Sequence, residues 1–81
     1  MKNIGRIKWR SRRGLLELDL LLVPFANCMY ATLPEAMQQT YCCLLEEEDQ
    51  DILGWLQGHL DPPARYLELV ACIMQWNASR D

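Results

Sequence analysis

Leu15-Leu16-Glu17-Leu18-Asp19-Leu20-Leu21-Leu22-Val23-Pro24-Phe25-Ala26-Asn27-Cys28-Met29 is apolar on nearly every side when wound as a helix. Leu18, Leu21, Leu22, Phe25 and Met29 form one stripe, and Leu16, Leu20 and Val23 form another. A helix with two apolar stripes belongs in the middle of a bundle, packed on more than one side. The segment therefore predicts an all-α fold built around it. Pro24 lacks the N–H that would bond the carbonyl of Leu20, so a kink is expected there.

The flanking segments also read as helices. Leucine and methionine outnumber β-branched residues, no run alternates with period two, and Asn-Gly turns are absent. Thr32-Leu33-Pro34-Glu35 has the form of a capping box, with Thr32 as N-cap and proline in the first turn. Leu33, Ala36, Met37, Thr40, Tyr41, Leu44 and Leu45 then fall on one continuous face. An acidic connection over residues 46–51 offers Asp49 or Asp51 as cap for a short helix with Ile52, Leu53, Trp55 and Leu56 inside. Gly54 and Gly58 predict a loose, fraying end to it. Asp61-Pro62-Pro63 predicts an N-cap and a last helix over residues 63–77. Residues 3–11, with Ile4, Ile7 and Trp9 among basic residues, predict a short amphipathic helix at the start. The sum is a compact five-helix bundle with a central apolar second helix, one domain over residues 1–81.

A chain of 81 residues that is 51% hydrophobic and 23% charged is globular. Its single core gives a margin of only ~3–5 kcal/mol and leaves no room for a large enclosed cavity. Function is therefore expected on the surface. The longest apolar run, residues 20–26, is far short of the about 20 residues a membrane span needs. The acid-free first 13 residues have a transit-peptide flavour but lead straight into the core pattern, which predicts a cytoplasmic protein.

Cys28, Cys42, Cys43 and Cys72 form no CxxC pair, and His59 is the single histidine. That spacing suits neither a zinc cage nor a disulfide framework, and predicts buried thiols acting as small hydrophobes. No metal and no resident cofactor is expected. The run Glu46-Glu47-Glu48-Asp49 lacks the glycine and alternating ligands of a calcium loop, so it reads as a solvated connection. No nucleophile stands beside a base in a known spacing, so the chain is not expected to be an enzyme.

Charge divides the chain sharply, with +6 on residues 1–13 and −9 on residues 14–81. Such asymmetry points to a charged docking surface at one end of a small body. A nucleic-acid-binding or regulatory adaptor using the basic arm is the alternative reading, since cations release counterions and Trp9 can stack on a base. A pI of about 5.0 and the lack of a helix-turn-helix or RNA motif argue against it. At the boundary, Gly14 serves either as the turn between two helices or as N-cap of the second, with Glu17 at N3 reaching back. Glu17 and Asp19 complement the positive end of the helix dipole, but helix initiation alone does not explain Arg12 and Arg13 just before it.

Two ordered blocks carry a more specific signal. Trp9-Arg10-Ser11-Arg12-Arg13-Gly14-Leu15-Leu16-Glu17-Leu18-Asp19 with Pro24-Phe25, then Leu44-Leu45-Glu46 through Asp51-Ile52-Leu53-Gly54-Trp55-Leu56, resemble the succinate dehydrogenase assembly factor (flavinator) family. The resemblance covers roughly residues 6–62 and implies a five-helix bundle. It implies binding to the flavoprotein subunit of succinate dehydrogenase, and in bacteria often that of fumarate reductase, to promote covalent attachment of FAD to a histidine. In that reaction the flavin 8α-methyl loses a proton and the histidine attacks; the factor holds the flavoprotein so that the two meet. The family's Arg-Gly-x-x-Glu contact motif falls on Arg13, Gly14 and Glu17, with Asp19, Arg12 and Trp9 beside it. Leu16 departs from the basic or polar residue common in the family, and Leu15 from a frequent methionine. A monomer that enters no membrane and takes no nucleic acid is the expected state.

Overall fold

The computed structural model describes residues 4–80. Five α-helices follow one another: α1 (Ile4–Arg10), α2 (Leu16–Met29), α3 (Glu35–Leu44), α4 (Asp49–Leu56) and α5 (Leu67–Ser79). Short 3-10 turns at Tyr30–Thr32 and Ala64–Tyr66 lead into α3 and α5, and no strand occurs among the described residues. Asn3, where the sequence starts the first helix, and the Ile4 side chain lie outside what is described. The body measures 34 × 26 × 25 Å.

α2 packs against α5, α4 and α1. Its first stripe does what the periodicity demands: Leu18, Leu22 and Phe25 are fully buried, with Ala26 beside them. The second stripe does not. Leu16 and Leu20 are 72% and 59% exposed. The neighbouring helices cover one side of α2, and Leu16 and Leu20 on the other stay open among the described residues. α2 runs unbroken through Pro24. The Leu20 carbonyl that the proline cannot serve accepts a bond from Arg80 Nη2 at 3.2 Å. Asn77 Nδ2 donates to the next carbonyl, Leu21, at 3.2 Å, so the end of α5 braces the weak point of α2.

Helix starts differ from the sequence expectation. Thr32 does not cap α3: it sits in the 3-10 turn, and its hydroxyl donates backward to the Met29 carbonyl at 2.8 Å. Pro34, extended at φ −55 and ψ 151, takes the N-cap position instead. Neither Asp49 nor Asp51 caps α4; Glu48 occupies the N-cap and both aspartates lie in the first turn, near the positive dipole end. Asp61 likewise caps nothing. Pro62 and Pro63 hold the chain extended, the first turn is a tight 3-10 one, and α5 proper begins at Leu67.

The end of α4 is well closed rather than frayed. Gly58 adopts φ +78, its N–H bonds the Trp55 carbonyl at 3.2 Å, and the His59 N–H bonds Gly54 at 2.9 Å. This is a Schellman cap, which a left-handed glycine permits at no steric cost. Gly54 leaves room for Leu60 to lie across the helix, since a Cβ there would stand 2.7 Å from Leu60 Cδ1.

The core is aromatic at its centre. Tyr41 packs on Phe25 and Tyr30, Phe25 meets Trp76 edge-on, and Trp55 lies on Tyr66 with centroids 5.5 Å apart. Tyr30, Tyr41 and Tyr66 are fully buried, and each hydroxyl has a partner. The cysteines are not core residues: Cys28 and Cys43 are exposed, Cys42 and Cys72 half-buried. On α3 the buried side is claimed by Tyr41 and Leu44, which turns the intervening Cys43 outward.

Trp55 is only 7% exposed, so Trp55→Ala should cost about 3–5 kcal/mol in chemical denaturation. An unchanged unfolding midpoint would remove Trp55 from the core. Burial is the leading cause that pushes all three tyrosine hydroxyls up from 10.0 to about 12. The folded state thus holds its phenolic protons longer than the unfolded chain. Stability should be complete below pH 10.0 and fall as pH climbs toward about 12. Tyrosinate absorbance rising together with loss of helical circular dichroism checks this; ionisation near the ordinary value in a folded protein would contradict it.

Candidate partner-docking site

The site is built on the short link between α1 and α2. Ser11, fully buried, fixes its beginning: the hydroxyl donates to the Ile7 carbonyl at 2.9 Å and lies 2.7 Å from Tyr41 Oη in the core. Arg13 fixes its middle. Its guanidinium donates from Nε to Asp49 Oδ1 at 2.8 Å, from Nη1 to the Arg10 carbonyl at 3.0 Å, and from Nη2 toward the Glu47 carbonyl at 3.4 Å. The Arg13 side chain is only 16% exposed, so water competes weakly for these charge-assisted bonds. Arg10 pairs with Glu46 alongside.

Asp19 fixes its end. One carboxylate oxygen accepts the Arg13 N–H at 2.6 Å and the other accepts the Gly14 N–H at 3.2 Å. The reach-back to the loop amides is made by Asp19, not Glu17, because Leu15 rather than Gly14 occupies the N-cap of α2. Gly14 itself takes φ +85, where a side chain is strained, yet nothing lies within 4 Å of the position a Cβ would fill. Its outer side is open.

The sequence-derived residues thus fall into two groups. Arg13 and Asp19 are engaged within the molecule and hold the loop. Gly14, Arg12, Glu17 and Trp9 are exposed, Trp9 to 73%. Glu17 takes no part in the hydrogen bonding of the loop. Leu16 and Leu20, four residues apart on α2, lie on either side of it in sequence and are exposed as well.

Sequence reasoning missed Asp49, Glu47 and Ser11 as members of this site. The signal was present for the acidic pair only as the second resembling block, and nothing in the pattern announced that it would meet the first. In space it does: Arg10–Glu46 and Arg13–Asp49 each join residues 36 apart in the chain. Glu47 turns the other way, accepting bonds from Tyr66 Oη and Arg65 Nη2, both at 2.7 Å.

Among the described residues no three His, Cys, Asp or Glu side chains converge in a manner that could hold a metal ion. No described helix is long and apolar enough to cross a membrane. An open apolar groove of about 210 Å³ lies away from the loop, lined by residues such as Trp55, Leu60, Leu67 and Met74, and none of the expected contact residues borders it.

The chain is similar to known proteins over much of its length. The family described as flavinator of succinate dehydrogenase matches residues 5–77. The chain is 54% identical over 52 residues to the FAD assembly factor SdhE of Pseudomonas putida, covering 64% of this chain and 62% of that protein. It is 44% identical over 55 residues to the FAD assembly factor SdhE of Vibrio cholerae, covering 68% of this chain and 64% of that one. The protein of the same name from Francisella tularensis is 36% identical over 73 residues, 90% of this chain and 77% of its own. The Pseudomonas and Vibrio alignments span less than two thirds of those proteins' lengths. With both motif blocks inside the matched residues 5–77, the chain belongs to the family of succinate dehydrogenase flavinators.

Proposed function

We propose that this protein is an assembly factor that binds the flavoprotein subunit of succinate dehydrogenase, and that of fumarate reductase where present, and promotes covalent attachment of FAD to a histidine of that subunit. The observation that carries the reading is Gly14: a left-handed glycine, open on its outer side, held in place by Asp19 and followed by exposed Glu17. An open glycine lets a partner's backbone approach closely, and Glu17 offers a charge to a donor there. Arg12, Trp9, Leu16 and Leu20 are exposed as well, and in this reading they add one cation and apolar area to the contact. The chemistry would be supplied by the flavin and its target histidine, both held by the flavoprotein. This chain contributes no reacting group. It favours the arrangement of the flavoprotein in which flavin and histidine are in reach, a population shift drawn from binding energy. It works as a monomer in the cytoplasm.

The nucleic-acid alternative loses ground on the same geometry. Arg10 and Arg13 are paired with Glu46 and Asp49, so two cations of the basic arm are already neutralised within the molecule.

Two experiments bear on this reading. In a deletion strain, covalent flavin on the flavoprotein subunit is read by in-gel fluorescence after complementation. Glu17→Ala should stay folded and fail to restore it. Gly14→Leu should fail too, at a stability cost of about 1–2 kcal/mol for the left-handed backbone. Circular dichroism and melting on each variant establish folding first. Folded variants that restore full covalent flavin would remove the site. Separately, the purified protein should contain no stoichiometric zinc, iron or flavin by elemental analysis and visible spectrum. One equivalent of any of them would overturn an adaptor that acts through its surface alone.

A further inference from the structure

We infer that Asp49 is a positioning residue for the flavoprotein interface, acting through Arg13 to hold the loop at Gly14 in its binding geometry; this rests on the docking role proposed above for Gly14 and Glu17. The link between α1 and α2 has little structure of its own. The N–H groups of Ser11 and Arg12 close the last turn of α1, at 3.0 and 3.1 Å, and those of Arg13 and Gly14 depend on Asp19. A glycine beside such a link has wide conformational freedom, and a loose loop must be ordered when a partner binds.

Arg13 removes that freedom by tying three segments together. Its backbone N–H is held by α2 through Asp19, while its guanidinium reaches the end of α1 at the Arg10 carbonyl and α4 at Asp49. Among the described residues Asp49 is the one carboxylate that meets that guanidinium, accepting from Nε at 2.8 Å. The two carbonyl contacts are neutral, and one is long at 3.4 Å. Without Asp49 the guanidinium keeps its charge but loses its strongest anchor. Two consequences follow at the docking face: the backbone at Arg13 and Gly14 loosens, and an uncompensated cation enters the interface. The acidic start of α4 is then the second half of the docking site, although it offers the partner no contact itself.

The competing explanation is that Asp49 merely supports α4 from its first turn. Asp51 separates the two, since it lies in the same turn, is exposed, and makes no bond to the loop. The experiment measures affinity for the purified flavoprotein subunit carrying non-covalent FAD, using folded Asp49→Ala, Asp51→Ala, Arg13→Ala and Glu17→Ala and the Arg13→Ala/Asp49→Ala double variant. Asp49→Ala should bind about tenfold more weakly, the scale of coupling between residues in one network. Asp51→Ala should bind like wild type, and the double variant should bind no more weakly than Arg13→Ala. Amide exchange at Gly14 should speed up in Asp49→Ala without the partner present.

Wild-type affinity in Asp49→Ala overturns the inference. So does an equal loss in Asp51→Ala, which would assign the effect to α4, or strictly additive losses in the double variant. If Glu17→Ala binds weakly while Asp49→Ala binds normally, the clamp falls and the docking face stands. If Glu17→Ala binds normally, the docking face falls and the clamp's role in binding falls with it.

Discussion

A single buried contact, Tyr41 Oη to Ser11 Oγ at 2.7 Å, joins the aromatic core to the α1–α2 link that carries Arg13 and Gly14. A phenol inside an apolar core must find a partner for its hydroxyl, or the burial costs more than the ring gains. Tyr41 finds it in the first residue after α1, and so fixes where α1 ends relative to α3. Tyr66 makes the equivalent choice on the other side, giving its hydroxyl to Glu47 at 2.7 Å. The two tyrosines therefore anchor the two segments that Arg13 and Asp49 then lace together. Positioning begins in the core and is completed at the surface by charge.

Charge asymmetry in the chain takes on a structural meaning through this lacing. The basic stretch that ends at Arg13 and the acidic stretch that starts α4 lie far apart in sequence, and the fold brings them face to face. The exposed Arg10–Glu46 pair adds little to stability, about 0–1 kcal/mol, and the Arg13–Asp49 pair is better shielded from water. Their value lies in geometry. The Arg13 fork reaches a carboxylate and two carbonyls in different directions, which sets the orientation of the loop more tightly than its modest energy suggests.

Much of this was legible in the sequence, and the failures have physical causes. The apolar stripe Leu18, Leu22, Phe25 and the face ending in Tyr41, Leu44 and Leu45 are buried as their spacing requires. The all-helical bundle follows from such stripes. Periodicity counts apolar residues, however, and does not know how many neighbours a short chain can supply, so Leu16 and Leu20 looked like core and are surface. Capping rules failed at Thr32 and Asp61 because prolines just beyond them fix extended backbone and push each helix start downstream. At the site, Gly14 and Glu17 could be picked out from the motif. Asp49 could not, since its role exists only when α4 is folded against the α1–α2 link. Sequence shows which residues carry charge, and only the tertiary arrangement shows which of those charges are already spent.

The brace between α5 and α2 bears on the order in which the molecule can be completed during synthesis. Pro24 leaves an open carbonyl at Leu20, on the helix that carries Glu17, and the groups that serve it and its neighbour are contributed by Arg80, just after the last helix, and by Asn77 within it. A nascent chain that has produced α1 through α4 holds both sides of the α1–α2 link but not the seal on the helix below it. α2 is finished only once α5 has been made and packed. A half-made chain therefore carries Gly14 and Glu17 at the head of a helix whose weak point is still open to water.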